Sequence, residues 1–171
     1  LATDLIKKYE LIPENINYIL GIEGLDYLNK ISDVDRLHKL GIKSVNIVWN
    51  NDNKFGGGSR GDINQGLTEQ GKKLIKKLVK TNIAIDLSHA NTKTFYNIIK
   101  YCKKLKEENL NPIIFASHSN CKTICNTPRN LTDNQIKEIA DLDGVVGIVG
   151  IKQFCLLDGD SYKEKYIEHI N

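Results

Sequence analysis

Methionine is absent from all 171 residues, the first position included, although a chain of this length ordinarily carries several. We therefore expect either a piece of a longer polypeptide or a sequence from which some residues are left out. No apolar run approaches the ~20 residues that a membrane-spanning helix requires, so no such span is expected. The opening LATDLIKKYE also lacks the charged-then-apolar order of a secretory signal. A soluble, cytoplasmic protein is the resulting expectation. Cysteine is sparse: Cys102, Cys121, Cys125 and Cys155 contain a single close pair, spaced C-x-x-x-C, and no second Cys/His pair completes a zinc ribbon. These read as reduced thiols.

A clustered basic face is missing as well. The formal net charge is +3, and Lys72, Lys73, Lys76 and Lys77 are interleaved with apolar residues at helical spacing. That pattern describes a solvated helix face and argues against a nucleic-acid partner. Nor is there a dinucleotide fingerprint, because the Gly56–Gly58 run has neither G-x-G-x-x-G order nor a helix start beside it.

What is present is a balance of 40% hydrophobic and 26% charged residues, which suits one globular domain over residues 1–171. Short aliphatic runs bounded by Gly, Pro, Asn or Asp alternate with amphipathic stretches, the pattern of repeated βα units around a parallel sheet. Strands are predicted at Tyr18–Gly21, Ser44–Trp49, Ile83–Leu87, Ile113–Ser117 and Val145–Val149. Helices are predicted at Asp33–Leu40, along the Leu74, Ile75, Leu78, Val79 stripe, at Thr92–Lys106 behind an Asn91 cap, and at Leu131–Ala140. In the last, Thr132 and Gln135 have capping-box spacing. Five such units fit either an open doubly wound sheet or an arc of an eight-stranded barrel, and periodicity does not choose between them.

Polar residues with chemistry to offer collect at strand C-terminal ends: Glu23 in GIEG, Asn50 in WNNDN, His89 in IDLSH and His118 in FASHSN. Catalytic groups gather at that edge in parallel α/β folds, because its loops vary over a rigid sheet. Two imidazoles and a carboxylate form a zinc-type ligand set, and a carboxylate can bridge two ions. Glu23 would be that bridge. The same residues also fit a plainer role, a Ser-His pair being a common loop anchor and GIEG a possible turn. His38 and His169 stand beside charged residues on helices and read as solvated. Asp86 either faces the surrounding helices or orients an imidazole.

The ordered series GIEG, LGIKSVNIVWNNDNKFGGG, GLTEQGKKLIKKL, IDLSHAN, IIFASHSN, PRNLTDNQI and DGVVGIVG resembles the membrane dipeptidase family, from about residue 18 to residue 154. The resemblance implies a (β/α)8 TIM-barrel metallohydrolase, present here as an incomplete barrel of about five βα units. It implies hydrolysis of dipeptides by two zinc ions that share a glutamate and an activated solvent molecule. Carried over by position, Glu23 is the bridging, catalytic carboxylate, His89 and His118 are ligands of the second zinc, and Arg129 holds the substrate's terminal carboxylate. Asn50 falls in a substrate-facing block where mammalian members carry a histidine; here Trp49 stands at or beside that position.

The sequence departs from the family pattern in two further ways. No HxD motif precedes GIEG, and the late aspartate block is missing, Asp158 and Asp160 having none of its surroundings. KKLKEENLN at 103–111 also looks longer than its family counterpart, as an extended charged helix end would be. At most one zinc and weak or no hydrolysis are therefore expected of this chain by itself. Two other readings stay open: a different barrel metallohydrolase, such as an amidohydrolase or deaminase, and a non-catalytic barrel fragment. A barrel lacking strands exposes two sheet edges, so a homo-oligomer or the remainder of the barrel is the expected partner.

Overall fold

The computed structural model describes residues 18–156 and 161–170; Asp158 and Asp160 lie outside them. Five strands, β1 (Leu20–Glu23), β2 (Ile42–Asn46), β3 (Ala84–Asp86), β4 (Ile114–Ala116) and β5 (Val145–Val146), form one sheet in the order β1-β2-β3-β4-β5. Every neighbouring pair is parallel. A 3-10 turn (Ile31–Asp33) with α1 (Val34–Lys39), then α2 (Glu69–Lys80), α3 (Thr92–Glu107) and α4 (Asp133–Ala140), fill the four connections. Two short helices follow, α5 (Lys152–Cys155) and α6 (Tyr162–Glu168). A doubly wound sheet reverses its strand order at a switch point, whereas this order never reverses. The fold is an arc of a β/α barrel.

Helix starts follow the side chains that can cap them. Asn91 Oδ1 accepts the Thr94 amide, Thr68 accepts Gly71, and Thr132 and Gln135 form a reciprocal capping box. Strands β2 to β5 are shorter than their apolar runs suggest, and β1 is displaced to Leu20–Glu23 from the predicted Tyr18–Gly21. Ile47 and Val48 are each 1% exposed yet lie beyond the end of β2, so hydrophobicity there marks burial and not ladder pairing.

The register divides the sheet into two chemically different faces. Val45, Ile85, Ile114 and Ala116 point outward and are buried with Leu74, Leu78, Phe95, Ile98 and Leu105 of α2 and α3. Each such aliphatic or aromatic side chain contributes about 1.5–3 kcal/mol on burial. The alternate residues form an inner row, Glu23, Asn46, Asp86, Phe115 and Val145, partnered strand to strand. This inner face borders an open concavity of about 750 Å³. Among the described residues, β1 and β5 are each paired on one side only. Beside them Ile19 and Val145 are 75% and 69% exposed.

One sequence expectation is corrected here. His169, read as solvated, is 4% exposed: its Nδ1 accepts the Cys121 amide at 3.1 Å and its Nε2–H donates to the Cys155 carbonyl at 2.9 Å. The charged residues next to it in sequence lie on other faces of the helix, since successive positions turn by about 100°. His38 is exposed, as expected. Cys102, Cys121 and Cys155 are free thiols.

Candidate metal centre

Glu23 is the last residue of β1, on the inner face, and the chain turns away from it through Gly24 at φ +83°. A Cβ on Gly24 would meet Trp49 Cβ at 3.1 Å and Asp26 Oδ2 at 2.9 Å, so both conformation and space select glycine. His89 lies beyond β3 with φ +73°, an uncommon conformation for a side-chain-bearing residue, which aims its ring back over the sheet. His118 lies just beyond β4.

These three side chains converge. His89 Nε2 is 2.7 Å from Glu23 Oε1, His118 Nε2 is 3.1 Å from the same oxygen, and the two Nε2 atoms are 2.9 Å apart. His89 Nδ1–H donates to Asn50 Oδ1 at 3.0 Å, and His118 Nδ1 meets Ser117 Oγ at 2.5 Å. With Nδ1 protonated on both rings, two nitrogen lone pairs and a carboxylate oxygen face one another at contact distance. That is a site for a cation. Burial, then the positive neighbours Arg129, His118 and Arg60, push His89 down to about 3, which keeps its imidazole neutral and able to ligate. The donor set therefore fits zinc.

The loops that carry the histidines are locked from beneath by residues the sequence reading underrated. Asp86 does not face the helices; Oδ1 accepts the Ser88 amide at 2.9 Å and the Ser117 amide at 3.0 Å, tying the two histidine loops together. Ser88 Oγ accepts the His118 amide at 3.1 Å, and Asn46 Nδ2 donates to the Ser88 carbonyl at 2.8 Å. The readable signal was the period-two register: Asn46 and Asp86 share the inner row with Glu23.

Arg129 comes from the loop between β4 and α4 and is 6% exposed. Asn130 and Asn120 hold that loop by donating to the Cys125, Phe154 and Val149 carbonyls. The guanidinium lies 5.4 Å from the Phe154 ring centre and donates a long bond, 3.4 Å, to the His118 carbonyl. Burial lowers it to about 10, against the pull of Glu23 and Asp86, so it stays charged near neutral pH. Among the described residues no carboxylate is ion-paired with it.

A larger groove, about 1340 Å³, runs along the outer surface between α2, α3 and α4. Two of its lysines pair across it, Lys76 with Glu108 and Lys103 with Glu138, and among the described residues no potential metal ligands converge in it. Among the described residues the potential metal ligands gather only at Glu23, His89 and His118, within 4.8 Å of one another.

The sequence matches the membrane dipeptidase family (Peptidase family M19) over residues 4–171. The chain belongs to the membrane dipeptidase family. An uncharacterised protein of Acinetobacter calcoaceticus is 32% identical over 163 residues, which are 89% of this chain and 49% of that protein. A solved amidohydrolase from Pseudomonas aeruginosa superposes with a TM-score of 0.75 at 28% identity, covering 88% of this chain and 44% of that one. A metallopeptidase from Rhodobacter sphaeroides, solved with a phosphinate mimic of the dipeptide L-Ala-D-Ala, gives 0.73 at 28% identity, over 89% and 44%. The chain thus spans about half the length of the curated relatives it matches.

Within this dipeptidase-family barrel arc, the sequence-derived residues Glu23, His89 and His118 meet at one point, with Asn50 on the back of His89 and Arg129 beside His118. The Asn50 amide oxygen, read from sequence as substrate-facing, is committed to the imidazole. The lock beneath the histidines has a measurable consequence. Asp86→Ala leaves the Ser88 and Ser117 amides, the first of them buried, without this acceptor and is expected to weaken zinc binding about ten- to hundredfold. Asp86→Asn, which keeps an acceptor, should lose less. Competition against a chromophoric chelator measures both, and unchanged zinc affinity in the alanine variant would remove the positioning role.

Proposed function

We propose that this chain carries the zinc-binding and substrate-anchoring part of a dipeptidase site that hydrolyses the peptide bond of dipeptides. The observation that carries the reading is the convergence of Glu23, His89 and His118 beside a buried guanidinium that, among the described residues, has no ion-paired carboxylate. Glu23, His89 and His118 would hold one zinc ion, with the family's second zinc depending on ligands this sequence does not show. When bound, zinc supplies a Lewis acid that polarises a carbonyl and makes a water acidic enough to react near neutral pH.

The chain's own residues do the rest. Asn50 fixes the tautomer of His89, and Asp86 with Ser88 fixes the spacing of the two imidazoles. Arg129 takes the terminal carboxylate of the substrate in its planar fork and so sets which bond lies over Glu23. The half-exposed Glu23 carboxylate, 48% accessible, faces the open concavity from which a dipeptide would approach. The metallopeptidase solved with a dipeptide mimic supports this reading of the concave face.

Metal analysis of the purified protein, run beside hydrolysis of a simple dipeptide, tests it. One zinc per chain is expected. Turnover in addition would make the chain a working dipeptidase, whereas zinc without turnover would leave it a metal-binding part of one. Protein that takes up no zinc from a zinc buffer would sink the proposal.

A further inference from the structure

The connection between β2 and α2 returns to the metal centre after leaving it. Gly58 forms an antiparallel bridge with Ala90, the residue after His89. A Cβ at Gly58 would lie 2.5 Å from the Trp49 and Asn51 carbonyl oxygens, so the segment closes this tightly only with glycine there. The Arg60 amide then donates to the Asn50 carbonyl at 2.7 Å, and Asn50 is the residue whose side chain holds His89. The backbone of Arg60 is thereby pinned to the rim of the site.

Nearby acids do not neutralise it. Asp52 spends Oδ1 on the Gly58 amide at 3.0 Å and Oδ2 on the Asp62 amide at 2.8 Å, while Asp62 Oδ1 accepts from Asn64 at 2.8 Å. The Arg60 side chain is exposed, and among the described residues no carboxylate is ion-paired with it. Arg60 stands two residues beyond the Gly58–Ala90 bridge, held against the segment that carries Asn50 and beside the loop that carries His89.

We propose that Arg60 is a specificity-determining residue, recognising a carboxylate on a side chain of the bound dipeptide while Arg129 holds the terminal carboxylate. The inference rests on the dipeptide reading of the site. A dipeptide with neutral side chains has one negative group, and the buried guanidinium is placed for it. A second fixed cation at the rim adds nothing for such a substrate and repels its amino end. It gains an interaction only when the substrate brings a second anion, and an arginine fork on a pinned backbone suits a carboxylate.

Trp49, the single tryptophan of the chain, has its ring 6.1 Å from that of His89 and reports binding by fluorescence. The full chain, with zinc added, is titrated with Ala-Asp and Asp-Ala and with their amides Ala-Asn and Asn-Ala. One acidic peptide is expected to bind about fivefold tighter than its amide, the scale of a solvent-accessible charge pair. Arg60→Gln should bring that ratio to near one, Arg60→Lys should keep part of it, and Lys80→Gln on the outer helices should leave it intact. Raising the salt concentration should shrink it. A ratio of one in the unmodified protein, or a ratio that persists in Arg60→Gln, overturns the assignment. Equal weakening of acid and amide by Arg60→Gln also overturns it, placing Arg60 on the terminal carboxylate instead. Failure of all four peptides to bind would remove the dipeptide reading itself, an outcome distinct from binding without preference.

Discussion

His89→Ala is expected to lower zinc affinity on the order of a hundredfold. Four-ligand structural zinc sites bind with about 10–16 kcal/mol, so one ligand carries roughly 3 kcal/mol of it. His89 stands out among the three proposed ligands because its neutral form is imposed by burial and its Nδ1 is already engaged by Asn50. Its φ of +73° complicates the alanine variant, since alanine dislikes that conformation. His89→Asn provides the control, because asparagine tolerates positive φ and offers a far weaker ligand. Both variants should lose zinc, as read by chelator competition, while far-ultraviolet circular dichroism stays unchanged for His89→Asn. Zinc affinity that survives both substitutions would exclude His89 as a ligand.

Arg129→Met should show opposite signs in two measurements. A buried guanidinium with no ion-paired carboxylate among the described residues costs desolvation energy that folding does not recover, so a side chain of similar length without charge should leave the urea midpoint unchanged or higher. Dipeptide affinity should fall about a hundredfold, the usual cost of removing one partner of a desolvated, hydrogen-bonded charge pair. Arg129→Lys would retain charge but lose the fork, and should recover only part of the affinity. If the methionine variant both unfolds more easily and binds dipeptide as before, Arg129 is a structural residue and the anchoring role is wrong. The contrast matters because the long 3.4 Å bond to the His118 carbonyl is a weak reason for burying a cation.

Much of the fold was legible because its signals are local. The five apolar runs, each bounded by turn formers, all overlap a strand, although β1 runs on to Glu23 and β2 starts earlier, at Ile42, and the Asn91 and Thr132 caps are where the sequence put them. The ladder ends were not legible, because Ile47 and Val48 are as buried as strand residues while pairing with none. His169 was misread because a charged sequence neighbourhood says nothing about which helix face docks.

At the site, Glu23, His89 and His118 could be named from their position at strand ends, and the family resemblance supplied their grouping with Arg129. The supporting lock could not. Asp86 joins Ser88 to Ser117 and Asn46 reaches Ser88 across strand pairs, contacts that exist only once the parallel register is set. The return of Arg60 to Asn50 depends likewise on the Gly58–Ala90 bridge, which no periodicity encodes.

By itself, then, the sequence determined the alternation of strands and helices, the chemistry placed at strand ends and the family. Those properties follow from residue type and spacing over a few positions, where side-chain periodicity and capping act. Tertiary structure alone decided that the sheet is an unreversed arc, that three potential ligand atoms meet within 4.8 Å and that the buried Arg129 lies beside them with no ion-paired carboxylate among the described residues. The reason is geometric: convergence depends on register and on loops returning over a curved sheet, and both are set by contacts between residues far apart in the chain.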